Sequence, residues 1–187
     1  PFLFRLGGRI ESLVLRNIQH HNPTDARSLV DVGWAKSDTH HDTSMTHIRS
    51  LVIDGLHIFE ADERAADASF INVVAPVDHL VVRNVEVVRP ANGSRQGCLI
   101  ETRAQARIGS LFLSNLCLHG IGCLLHHTAN EISTVQLANV LASETGSALI
   151  KVGGAEIGTI NATGVFGAEL LEAPPGSKIG QVKASAA

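Results

Sequence analysis

"LVLRN", residues 13–17, returns along the chain as "LVIDG" at 51–55, "LVVRN" at 80–84, "LFLSN" at 111–115 and "VQLAN" at 135–139. A phrase that recurs at fixed positions within longer units marks a repeat architecture, in which each unit buries its apolar face only by stacking on the next. Aligned on the apolar residue three before each phrase, the anchors are Ile10, Ile48, Val77, Ile108, Ile132, Ile157 and Ile179, with spacings of 38, 29, 31, 24, 25 and 22. Each unit reads apolar-x-x-apolar-x-apolar-x-Asn/Gly-apolar, the period-two alternation of a strand with one face buried. Leu13 and Leu15, Leu51 and Ile53, Leu80 and Val82, Leu111 and Leu113, and Val135 and Leu137 are expected to point inward.

The residue that closes this strand is Asn17, Gly55, Asn84, Asn115, Asn139 or Gly164. Gly and Asn enter the left-handed backbone region at least cost, so a tight bend is expected there, with stacked Asn side chains bonding from unit to unit. An apolar residue follows each time (Ile18, Leu56, Val85, Leu116, Val140, Val165), so a second buried strand begins at once. A third apolar run closes each unit: "SLVDVG" at 28–33, "SFINVV" at 69–74, "GCLIET" at 97–102, "GCLLHH" at 122–127, "SALIKV" at 147–152 and "AELLEA" at 168–173. The opening "PFLFRLGGRIESL" matches "SALIKVGGAEIGTI", so Phe2–Leu6 reads as the same third strand of a preceding unit.

Three short strands per unit, stacked along an axis, describe an all-β parallel β-helix of about six coils. A leucine-rich repeat shares the L-x-x-L-x-L opening, but it places its Asn three residues after the last Leu of that pattern, against two here. The repeat resembles the pectin-lyase-like superfamily of right-handed parallel β-helices over essentially the whole chain, and right-handedness agrees with the usual crossover rule. The expected organisation is one domain, 1–187, with a loop-rich half over 1–107 and compact coils over 108–187. The start at Pro1 and the lack of a capping helix at either end read as a piece of a longer protein without its preceding coils. The resemblance implies a carbohydrate-active protein that binds or cleaves a polysaccharide, of lyase or glycoside hydrolase type, secreted or on a virion surface. The catalytic elements of polygalacturonase-like members (Asn-Thr-Asp, Asp-Asp, Gly-His-Gly, Arg-Ile-Lys) are not in the sequence, and "DTHHD" at 38–42 is not the Asp-Pro-His of epimerase-type members.

Bulk composition narrows the classes further. With 187 residues, 44% of them hydrophobic, and a formal charge of −3, the chain has a sizeable core and no electrostatic basis for holding a nucleic acid. No apolar run approaches the ~20 residues of a membrane helix, and no signal peptide opens the chain. Cys98, Cys117 and Cys123 lack CxxC spacing and read as three buried or half-buried thiols without a disulfide framework or a zinc signature. No cofactor and no metal is expected. His40, His41, Asp42 and His47 lie in "SDTHHDTSMTH", but adjacent His side chains do not converge on one ion.

Equivalent outward residues of stacked coils form ladders. The third strand is expected to present Arg5, Asp31, Asn72, Glu101, His126, Lys151 and Glu172. The first should present Arg16, Asp54, Arg83, Ser114, Ala138 and Thr163, continued past the bend by Gln19, His57 and Glu86. Carboxylates, Arg and His suit glycan recognition or proton transfer. Asp31, Glu101 and His126 are therefore the candidate acid/base residues, and Arg16, Asp54, Arg83, His57, Glu86 and Trp34 the candidate substrate binders. Polar outward faces are also what water alone requires. Parity places a further column, Leu3, Leu29, Phe70, Leu99, Leu124, Leu149 and Leu170, on the outer face beside Val14, Val52, Val81 and Phe112. Either the chain bends before the strand proper and turns those leucines inward, or an exposed apolar ladder of that length is an interface. The second reading is accordingly a non-catalytic module of a trimer of side-by-side β-helices, which phage tailspikes resemble.

Overall fold

A computed structural model describes residues 4–21, 28–33, 46–60, 69–89, 97–103 and 105–185. These residues form strands and no helix. In chain order the strands are β1 (Phe4–Leu6), β2 (Arg9–His21), β3 (Val30–Val32), β4 (His47–Phe59), β5 (Ile71–Val73), β6 (Val77–Val88) and β7 (Cys98–Thr102). There follow β8 (Arg107–His119), β9 (Cys123–His127), β10 (Glu131–Ser143), β11 (Ala148–Val152), β12 (Glu156–Phe166), β13 (Glu169–Glu172) and β14 (Lys178–Ser185). The odd-numbered strands make one seven-stranded sheet and the even-numbered strands another, each in sequence order. All pairings are parallel, so each circuit of the chain adds one strand to each sheet.

The sequence anchors are true structural equivalents. Ile10, Ile48, Val77, Ile108, Ile132, Ile157 and Ile179 pair in one continuous row across the even-stranded sheet. Leu51, Ile53, Leu80, Val82, Leu111, Leu113, Val135 and Leu137 are buried, while Leu13 and Leu15 on the outermost strand of this sheet are half-buried against them. Burying a branched aliphatic side chain contributes about 1.5–3 kcal/mol, and this column supplies much of the core.

The bends lie where Asn and Gly stand. Asn17, Asn84, Asn115 and Asn139 have φ of 53, 55, 54 and 56°, and Gly55 and Gly164 have 79 and 63°. The side chains stack as anticipated: Asn139 Nδ2 donates to Asn115 Oδ1 at 3.2 Å, Asn115 Nδ2 to Asn84 Oδ1 at 3.1 Å, and Asn84 Nδ2 to Asp54 Oδ1 at 2.7 Å. The residues after the bend, Ile18, Leu56, Val85, Leu116 and Val140, are buried. Hydrogen bonding runs on through the corner, however, so the expected first and second strands are one long, bent strand. Each circuit therefore carries two hydrogen-bonded strands where three short ones were expected.

At the entry to the third run the structure takes the bent alternative over simple parity. Leu29, Phe70, Leu99, Leu124 and Leu149 are buried in the core and Leu170 is packed against it, whereas parity placed them outside; Leu3 lies outside the described residues. The ladder shows why. Pairing passes from Cys98↔Cys123 to Ile100↔Leu125, and from Ala148↔Glu169 to Ile150↔Leu171. The leucine between them drops out of register, the backbone kinks, and two successive side chains turn inward. The other apolar column does stand outward: Val14, Val52, Val81 and Phe112 pair in register and are exposed or half-exposed.

One ion pair is sealed inside. Arg89 Nε donates to Glu60 Oε2, both side chains are almost wholly buried, and the guanidinium lies 4.7 Å from the centroid of the Phe70 ring. Removing one partner of such a pair costs far more than the pair itself contributes.

Asn115 both adopts the left-handed bend and bonds to two neighbours, which separates its two roles by substitution. Asn115→Gly keeps the conformation and loses the side-chain bonds, while Asn115→Ala loses both. Unfolding free energies from denaturant titration should fall in the order wild type, Gly, Ala, with Ala below Gly by about 1 kcal/mol. An alanine variant as stable as the glycine variant would remove the bend from its place in the fold.

Candidate functional site

In the third runs, "SLVDVG", "SFINVV", "GCLIET", "GCLLHH" and "SALIKV", the residue after the kinked pair is polar and faces away from the core. Strand pairing brings these residues side by side. Arg5, Asp31, Asn72, Glu101, His126, Lys151 and Glu172 occupy consecutive strands of the odd-numbered sheet in one register, as expected. Adjacent members are held about 4.8 Å apart by the strand spacing.

Glu101 is the hub. Its Oε2 accepts from Ser69 Oγ at 2.7 Å and from Arg103 Nη2 at 2.6 Å, and its Oε1 lies 3.7 Å from His126 Nδ1. Burial by itself pushes this carboxyl up, but His126, Arg103 and Ser69 together outweigh burial and hold it at about 2. The same contact with Glu101 raises His126 above its ordinary 6.5, against the opposing effect of its own burial. Asp31 behaves differently. Burial raises its carboxyl above the ordinary 3.8, although Asn72 Nδ2 donates to its Oδ1 at 3.1 Å.

Exposure along the ladder is divided by charge. The Arg103 side chain is 59% exposed and that of His126 41%, whereas Glu101 keeps 11%. Asp31 is 4% exposed. Through the hub the wall presents its cations to solvent and holds its carboxylates beneath them. Further along, Lys151 Nζ stands 3.8 Å from Glu172 Oε2, which also accepts from Ser147.

The expected substrate binders stand elsewhere. Arg83 Nη2 donates to Asp54 Oδ2 at 2.9 Å, with Arg16 Nε 4.0 Å from the same oxygen, and Arg83 and Asn84 hold the Asp54 carboxyl below its ordinary value. His57 Nδ1 lies 3.3 Å from Glu86 Oε2. Arg16, Asp54, Arg83, His57 and Glu86 all belong to the even-numbered sheet, whereas Asp31, Glu101 and His126 belong to the other, with the apolar core between. The structure does not join the two sets into one site. Trp34, His40, His41 and Asp42 lie outside the described residues. His47 is described, and its Nε2 lies 2.9 Å from Asp78 Oδ1.

Ser69 and Arg103 are the members that sequence reasoning missed. Arg103 stands two positions after Glu101, which is the signal for sharing its outward face. Ser69 belongs to the preceding circuit, and nothing in the chain order couples it to Glu101.

Among the described residues no three His, Cys, Asp or Glu side chains are placed to share a metal ion, and no helix is long and apolar enough to cross a membrane. Of the three thiols, Cys98 and Cys123 are buried and Cys117 is exposed on β8, where a buried or half-buried group was expected. Comparison with protein-family models, with curated proteins and with solved structures found no match to this chain.

The opposed shifts of Glu101 and His126 define a pH window. A depressed carboxyl contributes stability that is fully present above its ordinary 4.5 and is lost as pH falls towards about 2. A raised His contributes stability that is present below 6.5 and is lost as pH rises through its folded value. The pair therefore stabilises most between those two ordinary values. In an NMR titration, His126 should have its midpoint above 6.5 in the wild type and a lower one in Glu101→Gln. An unchanged midpoint in that variant would dissolve the pairing.

Proposed function

We infer that this chain folds as a right-handed parallel β-helix of the pectin-lyase-like kind, and that its odd-stranded face binds an acidic polysaccharide. The alternation of the chain between two parallel sheets, with left-handed corners at each repeat, supports the first part. The observation that carries the second is the division of exposure in the ladder: Arg103 and His126, whose protonated form the Glu101 carboxylate favours, face solvent while Glu101 and Asp31 are sunk behind them. Uronate carboxylates pair well with Arg, and a chain of sugars laid along the stacking axis meets one cation after another. Only the groups exposed around Glu101 are basic, on a protein of formal charge −3, so the attraction is short-ranged and salt-sensitive.

Binding is a better description of this face than cleavage. The Glu101 carboxylate, with three partners and a pKa of about 2, is a weak base and holds no proton to donate at neutral pH. Asp31, with its raised pKa, is the better acid. It lies two strands from Glu101, roughly 10 Å by strand spacing, at the far limit of the separation that an inverting glycosidase uses. Asn72 fills the interval and bonds to Asp31, where a water or a scissile oxygen would have to sit. If a reaction occurs on this face, His126 is its proton donor and Arg103 its substrate clamp.

A second reading rests on the Val14–Val52–Val81–Phe112 column. Four outward apolar residues in one register are an unusual solvent-facing feature, and in a non-catalytic trimeric module they would meet a neighbouring chain.

A panel of acidic and neutral polysaccharides separates these readings by retention in affinity electrophoresis, with release of reducing or unsaturated ends measured in parallel. Retention on a uronate polymer should weaken on the order of tenfold, about 1.4 kcal/mol, in Arg103→Ala and again in His126→Ala. It should also weaken in salt. End release abolished by His126→Ala would make the face catalytic. A chain that is trimeric and retained by no polysaccharide would leave the structural module.

A further inference from the structure

Cys98 and Cys123 open β7 and β9 and face each other directly in the parallel ladder. Strand spacing puts their Cα atoms about 4.8 Å apart, inside the range of roughly 4.4–6.8 Å that a disulfide spans. Both side chains are buried, and Ser69 Oγ lies 3.2 Å from Cys98 Sγ at one end of this short column. Glycine precedes each cysteine, and Gly122 N–H donates to Gly97 O at 2.8 Å, so the backbone just before the two thiols is tied together yet conformationally free. The third thiol does not compete, because Cys117 lies on β8 in the other sheet.

We propose that Cys98 and Cys123 are an oxidisable pair that closes into a disulfide between two successive circuits. The hydrogen bond that Cys123 donates lowers the Cys98 thiol below its ordinary value and raises Cys123 above it, so Cys98 is the thiol that reacts first. The oxidant is a small-molecule disulfide such as oxidised glutathione. The Cys98 thiolate attacks one of its sulfurs and expels one glutathione thiolate, leaving a mixed disulfide. Cys123, giving up its proton, attacks the Cys98 sulfur and expels the second glutathione. Two protein thiols lose two protons and two electrons, and one glutathione disulfide becomes two thiols. Ser69 Oγ touches both Cys98 and Glu101, so the pair adjoins the polar ladder without depending on what that ladder binds.

The test is a redox titration of the full chain carrying Cys117→Ser, in glutathione buffers, with acid quench, denaturation and alkylation of the remaining thiols. On oxidation of the folded chain the alkylatable thiols should fall from two to none, and tryptic peptide 96–103 should become joined to 108–151. Because an unfolded chain also closes such a loop, the same titration is run in urea. The folded chain should oxidise at a glutathione ratio at least about tenfold more reducing than the unfolded chain. Equal or harder oxidation of the folded chain, persistence of both thiols, a stable glutathione adduct on Cys98, or an intermolecular bridge would each overturn the proposal. Cys98→Ser in the same background should retain a single thiol that forms only adducts.

Discussion

Everything in this structure is arranged around a corner that L-amino acids resist. The left-handed conformation costs an ordinary residue about 1–2 kcal/mol, and the chain adopts it at this same corner from Asn17 through Gly164. Gly lowers that cost by lacking a Cβ. Asn lowers it by forming local hydrogen bonds, and here it forms them up and down the stack. Asn84, Asn115 and Asn139 are thus both the reason the backbone turns and part of what joins one circuit to the next. With the corner in place, Leu13-type residues before it and Ile18-type residues after it face one interior.

The polar ladder follows from the same stacking. Parallel strands in register set equivalent residues side by side whatever their charge, so each circuit's choice at one position has to suit its neighbours. At Glu101 the solution is an ionised carboxylate held by a hydroxyl, a guanidinium and an imidazole from three different strands or their approaches. Around Glu101 the carboxylates are buried and the basic side chains of Arg103 and His126 lie over them, so this part of the sheet shows solvent its basic groups. The proposed affinity for an acidic polysaccharide rests on that layering rather than on any single residue. The buried thiols Cys98 and Cys123 occupy the same sheet at a neighbouring register, and share Ser69 with the hub.

Sequence and structure part company in instructive places. Alternation correctly placed Leu51 and Ile53 inside and Val52 outside, because a straight strand has no choice about its two faces. It misplaced Leu29, Phe70, Leu99, Leu124 and Leu149, because a kink resets the alternation and an apolar run carries no mark of where the kink falls. Arg16, Asp54 and Arg83 do stand side by side in their expected ladder, but on the other sheet from Asp31, Glu101 and His126. A list of outward residues does not say which outward face each belongs to.

The sequence by itself determined the repeat, its anchors, the left-handed positions and the identity of each ladder, since all of these depend on local conformational cost and on which residues recur at equivalent places. Only the tertiary structure decided that the chain makes two hydrogen-bonded strands per circuit, that the kinked leucines turn inward, and that Ser69 and Arg103 complete the environment of Glu101. It also decided that Cys98 meets Cys123 while Cys117 stands apart. The physical reason is common to these cases: each depends on where two distant segments of backbone come to rest against each other, and the free energy of that contact belongs to the pair and is written in neither segment alone.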